Sequence, residues 1–326
     1  MRVIIIVILV LIATACSPLF QVENAVRVKE GTSFHAALLV EGEIYDQGWD
    51  SQAYKGLKEI ERTMNAKVKV VQYVDNDDKR RSETEALAKE GYQLIFGNGR
   101  SFERAFNSLA KKYPNTHFVF FNGQSKETNV SAMNFTPESM GYFSGMVAGL
   151  MTKTHKVGLI PAYQSMKEID SFVKAVKEQN SANQVLIEEV QDWNDGEKAE
   201  KIAREMIKSG VDILVPMGDG FNLKVIMEAH HANRLAIGYI SNQSFVSKET
   251  VITSTVQHVT NLYVEIAKKY QEGTLQGGSL YFDFQDGVQE LAPFGPMVPP
   301  EVQKKVMLRL AQYKEGKFTL PVVVHK

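Results

Sequence analysis

The sequence predicts an α/β fold of two doubly wound, Rossmann-like lobes that face each other across an interdomain cleft. Short β-rich runs alternate with stretches of helical spacing along most of the chain, and this alternation is typical of parallel sheets covered by helices. The alternation restarts near residue 136, which indicates a second lobe. Of the 326 residues, 44% are hydrophobic, so the chain is long enough to bury two cores.

The N-terminal segment 1–16 has the pattern of a lipoprotein signal peptide. A positively charged start precedes an apolar run over 3–12, and small residues then lead to Cys16. Ten apolar residues at about 1.5 Å each are too few to cross about 30 Å of hydrocarbon as a helix. Cys16 is the only cysteine, so we expect it to carry a lipid; a free cysteine in an uncleaved anchor, or a plain signal peptide, are the alternatives. Residues 17–32 lack apolar periodicity and are predicted to be a tether.

The first lobe is predicted from four β-rich runs with helical stretches between them. The strands are expected over 34–40, 67–74, 92–97 and 117–122, and the helices over 50–64, 79–90 and 101–113. The run 129–135 closes this part of the chain.

The second lobe is predicted to begin with a helix marked by Thr136 as its N-cap and Pro137 in its first turn. Three glycines spaced four apart within 141–151 would permit close packing of this helix, which we expect to be buried. The following strands are expected over 156–160, 185–191, 212–217, 235–240 and 251–256, and the helices over 166–180, 195–209 and 221–233.

The C-terminal part is expected to return to the first lobe, with helices over 258–272 and 299–315 and a strand over 280–284. The predicted organisation is therefore a first lobe of 33–136 plus about 257–326, and a second lobe of 137–256.

Open α/β sheets bind ligands beyond the carboxyl ends of their strands, so the loops at those ends are the candidate site. They are rich in aromatic, amide and glycine residues. Trp49 and Trp193, the only tryptophans, both fall in them and could stack on a planar ligand. The alternative is that each indole only closes a lobe edge.

The acidic and glycine residues in these loops could either bind a ligand or serve the local structure. Asp46 and Asp50 could accept hydrogen bonds from a ligand, although Asp50 could equally cap the helix that follows. The GDGFN segment 218–222 could receive an anion on backbone N–H groups. A tight turn is the alternative there, and Asp219 would repel a phosphate.

The sequence does not favour an enzyme, a metal site, a cofactor or a nucleic-acid surface. None of the seven histidines stands at a recognisable catalytic or zinc-ligand spacing, and neighbouring His230 and His231 would point in different directions on a helix. Removing residues 1–15 leaves 36 basic against 38 acidic residues. A chain with this charge, exported from the cytoplasm, is not expected to bind DNA directly.

Several segments together resemble one family, the basic membrane lipoproteins, which are purine-nucleoside-binding proteins of nucleoside ABC importers. The segments are DQGWDSQAYKGL at 46–57, YPNTHFVFF at 113–121, the run from 129 to 160, the Asp- and Gly-containing stretch around 192–220, IGYISNQS at 237–244 and ITSTVQHV at 252–259. The resemblance implies a fold like that of type I periplasmic binding proteins. It is greatest to the Med-type lipoproteins of bacilli, which carry a competence-regulator name.

In that family, aromatic rings hold the base, and acidic residues and a lysine hold the sugar. By resemblance, Trp49 stands at a stacking position and Asp46 at an acidic one. Three positions differ from the pattern of that family. Asn122 and Ile240 stand where the resemblance leads one to expect aspartates, and Gln257 stands where it leads one to expect the lysine. The predicted ligand-binding set is Asp46, Trp49, Asp50, Phe102, Asn122, Trp193, Asp219, Phe221, Ile240 and Gln257.

Two functions remain open at this point. One is an extracytoplasmic, membrane-anchored lipoprotein with a changed cleft that regulates transcription indirectly through a membrane partner. The other is the substrate-binding component of a nucleoside importer, which would need an ABC permease as its partner. In both, the expected ligand is a small molecule such as a purine nucleoside.

Overall fold

The computed structural model describes residues 34–44 and 49–320. The predicted signal peptide, Cys16 and the tether lie outside these residues, as do Asp46 and the segment 321–326. In the described part, no helix combines the length and apolar character that crossing a membrane requires.

The described strands follow one another along the chain as His35–Leu39 (β1), Lys67–Val71 (β2), Leu94–Gly97 (β3), His117–Phe121 (β4), Val130–Phe135 (β5), Lys156–Pro161 (β6), Gln184–Ile187 (β7), Ile213–Met217 (β8), Leu235–Gly238 (β9), Val251–Gln257 (β10), Gly278–Phe282 (β11) and Gln289–Leu291 (β12).

The described α-helices are Trp49–Met64 (α1), Asp77–Lys89 (α2), Glu103–Leu109 (α3), Pro137–Met151 (α4), Glu168–Gln179 (α5), Gly196–Lys208 (α6), Asn222–His231 (α7), Val259–Gln271 (α8) and Pro300–Lys314 (α9). A short 3-10 turn, Arg100–Phe102, precedes α3.

The strands form two six-stranded sheets, ordered β11-β5-β4-β3-β1-β2 and β12-β10-β9-β8-β6-β7. All pairings are parallel except that of β10 with β12, which is antiparallel. This is the predicted α/β architecture of two doubly wound lobes, because most neighbouring strands are parallel and helices cover both faces of each sheet.

The alternation of side chains along β1 shows why both faces are covered. Ala36 and Leu38 pack in one core with α1 and α8, whereas Ala37 and Leu39 pack in another with α2 and α3. All four residues have no exposed surface. A strand with period-two side chains and apolar residues on both faces must lie between two helical layers.

Within the described residues, the chain passes between the two sheets three times: from β5 to α4, from β10 to α8, and from β11 to β12. The crossings are hydrogen-bonded to one another. Thr136 donates to the carbonyl of Phe282 at 2.8 Å, and His258 donates to the carbonyl of Val288 at 2.8 Å. The junction between the lobes is therefore one connected region.

The C-terminal part departs from the predicted lobe boundary. The sequence assigned all of 257–326 to the first lobe, but β12 pairs with β10 of the second sheet. Helix α9 also joins the second lobe, where Val306, Leu310 and Tyr313 pack in the core that contains α4. The physical reason is that the apolar face of α9 meets α4, with the rings of Tyr313 and Phe143 5.6 Å apart.

Helix α4 is buried along nearly its whole length, and its glycines allow helix α5 to approach. A Cβ at Gly141, Gly145 or Gly149 would lie 2.1, 2.4 or 2.7 Å from a backbone carbonyl oxygen of α5. The predicted close packing on this glycine face is present.

Candidate functional site

The first lobe presents Trp49 at the start of α1, near the carboxyl end of its sheet. The indole is half-buried and packs edge-on against Phe121 at 5.7 Å and Phe135 at 5.8 Å. Part of its apolar surface is thus already used within the lobe. The other predicted residue of this loop, Asp46, lies outside the described residues.

Asp50 belongs to a polar network and not to a helix cap. Helix α1 begins at Trp49, so Asp50 stands inside its first turn, which corrects the interpretation of Asp50 as the cap. Its carboxylate accepts hydrogen bonds from the backbone N–H of Gly42 at 3.1 Å and from Nδ2 of Asn98 at 2.7 Å. The amide oxygen of buried Asn98 accepts from the Tyr263 hydroxyl at 2.9 Å, and burial raises the pKa of that phenol well above its usual value.

The second lobe presents an open aromatic pair, Tyr163 and Trp193, after strands β6 and β7. Trp193 is 42% exposed and Tyr163 is 38% exposed, and their rings meet edge-to-face at 5.7 Å. The backbone carbonyl of Trp193 accepts hydrogen bonds from the backbone N–H groups of Asp219 at 2.9 Å and Gly220 at 3.0 Å. The loop that carries the indole is therefore tied to the loop after β8.

The glycine turns after β3 and β8 serve packing. Phe102 and Phe221 have no exposed surface, and each folds over a glycine. A Cβ at Gly97 would lie 2.4 Å from Cγ of Phe102, and one at Gly218 would lie 2.1 Å from Cε1 of Phe221. In this conformation neither phenylalanine can contact a ligand, contrary to their place in the predicted set.

Three backbone N–H groups of the 218–222 turn, those of Gly218, Asp219 and Gly220, donate within the protein. The N–H of Gly218 donates to Oδ1 of Asn222 at 3.0 Å, and that of Gly220 donates to Oδ1 of Asn194 at 3.1 Å. The N–H of Asp219 donates to the Trp193 carbonyl. These hydrogen bonds favour the alternative of a tight turn, in which Asp219 is exposed, and anion binding by this segment stays a prediction.

Asn122 is exposed directly after β4 and adopts a left-handed backbone conformation with φ of 62°. Its N–H donates to the carbonyl of Met133 at 2.9 Å. Asn122 therefore lies at the carboxyl edge of the first sheet, and its contact with a ligand stays a prediction.

A cavity of about 230 Å³ lies at the crossing from β10 to α8 and brings together Ile240 and Gln257. The carbonyl of Ile240, whose φ is 65°, accepts from the Gln257 N–H at 2.9 Å. The Gln257 amide contacts Sδ of Met140 at 3.2 Å. Neither indole lines this cavity. Its lining is Gln52, Ile240, Ser241, Asn242, Val256, Gln257, His258, Val259, Thr260 and Asn261.

The sequence prediction missed most of this lining, in particular Gln52, Asn242, His258 and Asn261. Asn242 and His258 lie inside the motifs IGYISNQS and ITSTVQHV, Gln52 lies inside DQGWDSQAYKGL, and Asn261 follows the second of these motifs closely; the motifs were the only signal for them. Nε2 of His258 also lies 3.0 Å from Oε1 of Glu290 on β12, a contact that no local sequence pattern indicates.

A buried acid stands behind the left-handed residue Ile240. The hydroxyl of the preceding residue, Tyr239, donates to Oε1 of Glu168 at 2.5 Å. Burial raises the pKa of the Glu168 carboxyl and also that of the Tyr239 phenol. This pair joins the end of β9 to the start of α5.

Within residues 34–44 and 49–320, no group of three or more His, Cys, Asp or Glu side chains is arranged to hold a metal ion. The features that the strand ends do offer are an exposed aromatic pair, hydrogen-bonded loops and a polar cavity. Such features suit the binding of a small molecule.

Residues 34–318 match the family described as ABC transporter substrate-binding protein, PnrA-like. A relative named transcriptional activator protein Med, from Bacillus subtilis, is 35% identical over 83% of this chain and 86% of its own. A purine-binding protein of Brucella abortus is 27% identical over 85% of this chain and 81% of its own.

Solved structures share this fold. A transcriptional activator of the comK gene from Bacillus halodurans superposes with a TM-score of 0.82 and 38% identity, covering 88% of this chain and all of that one. An ABC transporter solute-binding protein from Conexibacter woesei, at 19% identity and a TM-score of 0.74, shares the fold over 89% of this chain and 99% of its own. The chain therefore belongs to the PnrA-like family of ABC transporter substrate-binding proteins.

Proposed function

We propose that this protein is a lipid-anchored, extracytoplasmic lipoprotein that binds an uncharged, nucleoside-like molecule between its lobes and regulates transcription indirectly, as a Med-type member of its family. The observation that carries the proposal is the cavity at the β10–α8 crossing, because residues of both lobes line it. A ligand held there would affect how the lobes sit relative to each other. No reaction is assigned to the site.

The residues at this cavity favour regulation over import. Ile240 and Gln257 occupy places where the family resemblance leads one to expect an aspartate and a lysine. Each charge-assisted hydrogen bond that is lost costs about 1.5–3 kcal/mol. Two such losses weaken binding by roughly a thousandfold, at about 1.4 kcal/mol for each factor of ten. Weak binding suits a sensor of abundant solute better than a scavenging importer.

Isothermal titration calorimetry with adenosine, guanosine and inosine tests this proposal on the protein purified from membranes in mild detergent. We expect binding weaker than micromolar. Micromolar or tighter binding would favour the second candidate, the substrate-binding component of a nucleoside importer. That candidate is supported by the name of the purine-binding relative from Brucella abortus. Absence of binding would overturn both.

The regulatory part of the proposal is supported by similarity to two proteins named as transcriptional activators. Because the chain has almost balanced charge and is expected outside the cytoplasm, its action on transcription is proposed to pass through a membrane partner. A competence reporter in the native host tests this. The full chain is expected to restore reporter activity in a deletion strain, and a chain lacking residues 1–16 is not. Equal activity of the leaderless chain, or a specific promoter complex in a gel-shift assay, would contradict indirect action.

Membrane attachment through Cys16 is supported only by the sequence pattern. Metabolic labelling with palmitate should mark the wild type and not Cys16→Ser, and Cys16→Ser should leave the membrane fraction. Equal labelling of the two proteins would exclude lipidation at this cysteine.

A further inference from the structure

One edge of the first lobe carries an excess of positive charge. The strands of its sheet are parallel, so they all begin at the same edge, and helices α1, α2, α3 and α8 end there. We call it the amino edge and define it by the last helical turns and the loops before these strands, at 61–67, 86–93, 106–117, 126–129 and 268–277. These segments contain eight Lys or Arg residues and four Asp or Glu residues.

The opposite, carboxyl edge of the same lobe has the reverse balance of charge. The loops and first helical turns that follow strands β1 to β4 contain seven acidic and four basic residues, counted over 40–44, 49–52, 72–80, 97–104 and 122–124. The whole chain has a net charge of −1. The positive amino edge is therefore a local feature and not the result of a basic composition.

Five lysines of the amino edge are exposed and form no ion pair with another residue that the structure describes; they are Lys67, Lys111, Lys126, Lys268 and Lys269. Lys89 and Lys112, by contrast, share the carboxylate of Glu85. Lysines in the last turn of a helix interact favourably with its dipole, but Lys67, Lys111 and Lys126 stand outside helices. Helix ends alone do not account for this cluster.

The described part of the chain also begins at the amino edge. Phe34 directly precedes β1 and is 18 residues from Cys16, a distance that a chain of this length covers over roughly 65 Å at most. Membrane attachment through Cys16 would keep the amino edge within that reach of the bilayer. Contact between this edge and the lipid surface would then be an intramolecular step.

We propose that the amino edge of the first lobe docks on the anionic phospholipid headgroups of the membrane that carries the protein. Clusters of four or more basic residues beside a membrane anchor are typical of such docking, and each lysine at the surface favours the docked state by about fivefold. Docking would turn the acidic carboxyl edge of the lobe away from the bilayer. This inference rests on the proposed membrane attachment and adds the surface that faces the lipid.

The test places the full chain, purified with its lipid, in vesicles of phosphatidylcholine alone or of an equal mixture of phosphatidylcholine and phosphatidylglycerol. Peptide mass spectrometry follows how fast a water-soluble N-hydroxysuccinimide ester acylates each lysine. The five unpaired lysines of the amino edge should react at least about threefold more slowly on the mixed vesicles. Salt at about 1 M, where the Debye length is about 3 Å, should remove that difference.

Lys304 and Lys305 are the internal controls. Like Lys268 and Lys269 they are adjacent and exposed, but they lie on α9 in the second lobe, so their rates should be the same on both kinds of vesicle. Replacing Lys268 and Lys269 together by glutamine should reduce the protection of Lys67 and Lys111. The same replacement of Lys304 and Lys305 should not, and thermal melting verifies that both variants are folded.

Flotation with the vesicles separates this inference from the proposed attachment. If the chain floats with phosphatidylcholine, equal acylation rates of the amino-edge lysines on both vesicles, or equal protection of Lys304 and Lys305, would overturn the docking surface and leave the attachment intact. Flotation with the mixed vesicles alone would overturn the attachment, and the docking surface would then stand only if the amino-edge lysines are protected. Flotation with neither would overturn both.

Discussion

Replacing Gly145 with alanine should destabilise the second lobe. The added Cβ would lie 2.4 Å from the carbonyl oxygen and 2.9 Å from the Cα of Phe172 on α5. Both atoms belong to the backbone, so they cannot move away by changing a rotamer. Helices α4 and α5 would have to separate by about 1 Å to restore ordinary contact.

The expected magnitude follows from two opposing terms. Alanine in place of glycine within a helix gains about 1 kcal/mol. Overpacking typically costs 1–3 kcal/mol, and here the upper end applies because Gly141 and Gly149 share the same tight interface. We expect a net loss of about 2 kcal/mol in the free energy of unfolding, or a melting temperature lower by roughly 4 °C.

Urea unfolding followed by far-ultraviolet circular dichroism measures this loss, with Gly196→Ala as the matched control. A Cβ at Gly196 would meet only Cδ, Cε and Nζ of Lys224, which form the flexible end of a side chain, so this change should be close to neutral. If Gly145→Ala unfolds at the same urea concentration as the wild type or a higher one, the reasoning about this helix interface is refuted.

Three further predictions concern other parts of the chain. Burial lowers the pKa of His117 to about 4, so the unfolded state binds the proton more readily than the folded state. The free energy of unfolding should therefore fall by up to about 3 kcal/mol as the pH drops from about 6.5 towards 4. His117→Gln should flatten that pH dependence, and an unchanged slope in this variant would contradict the prediction. Tyr263→Phe keeps the ring stacked on Phe96 at 4.5 Å but removes the hydroxyl that donates to buried Asn98. Urea unfolding should therefore reveal a loss of about 1–3 kcal/mol in the free energy of unfolding. No loss would show that this hydrogen bond contributes little to stability. Neither indole lines the cavity at the β10–α8 crossing, so adenosine should leave the fluorescence of Trp49→Phe and of Trp193→Phe largely unchanged; strong quenching in either variant would place the ligand at the remaining indole.

The fold was largely predictable because its signals are local. Strand β1 alternates side chains between two cores, and α4 begins after Thr136 with a proline in its first turn. Strand β12 was missed because its three residues are too few to show an alternation of apolar and polar side chains. The place of α9 was missed because an amphipathic helix shows that it packs, but not which lobe it packs against.

The site was harder to predict because its contacts join distant positions. Asn98 and Tyr263 are 165 residues apart, and Gln52 and Thr260 are 208 apart. Phe102 and Phe221 were misassigned for a different reason. An aromatic residue after a glycine turn has the same sequence pattern whether it faces a ligand or folds over the glycine. The short distances from a Cβ at Gly97 or Gly218 to the phenylalanine ring show that both rings fold over the glycine.

The most direct test of a ligand held between the lobes is a calorimetric titration of adenosine into the wild type and into Asn242→Trp. The larger side chain would be placed at a position that lines the cavity and is otherwise exposed, so it should fill the cavity without disturbing the core. We predict measurable binding to the wild type and at least tenfold weaker binding to Asn242→Trp with an unchanged melting temperature. Equal affinity of the two proteins would contradict the assignment of this cavity as the binding site.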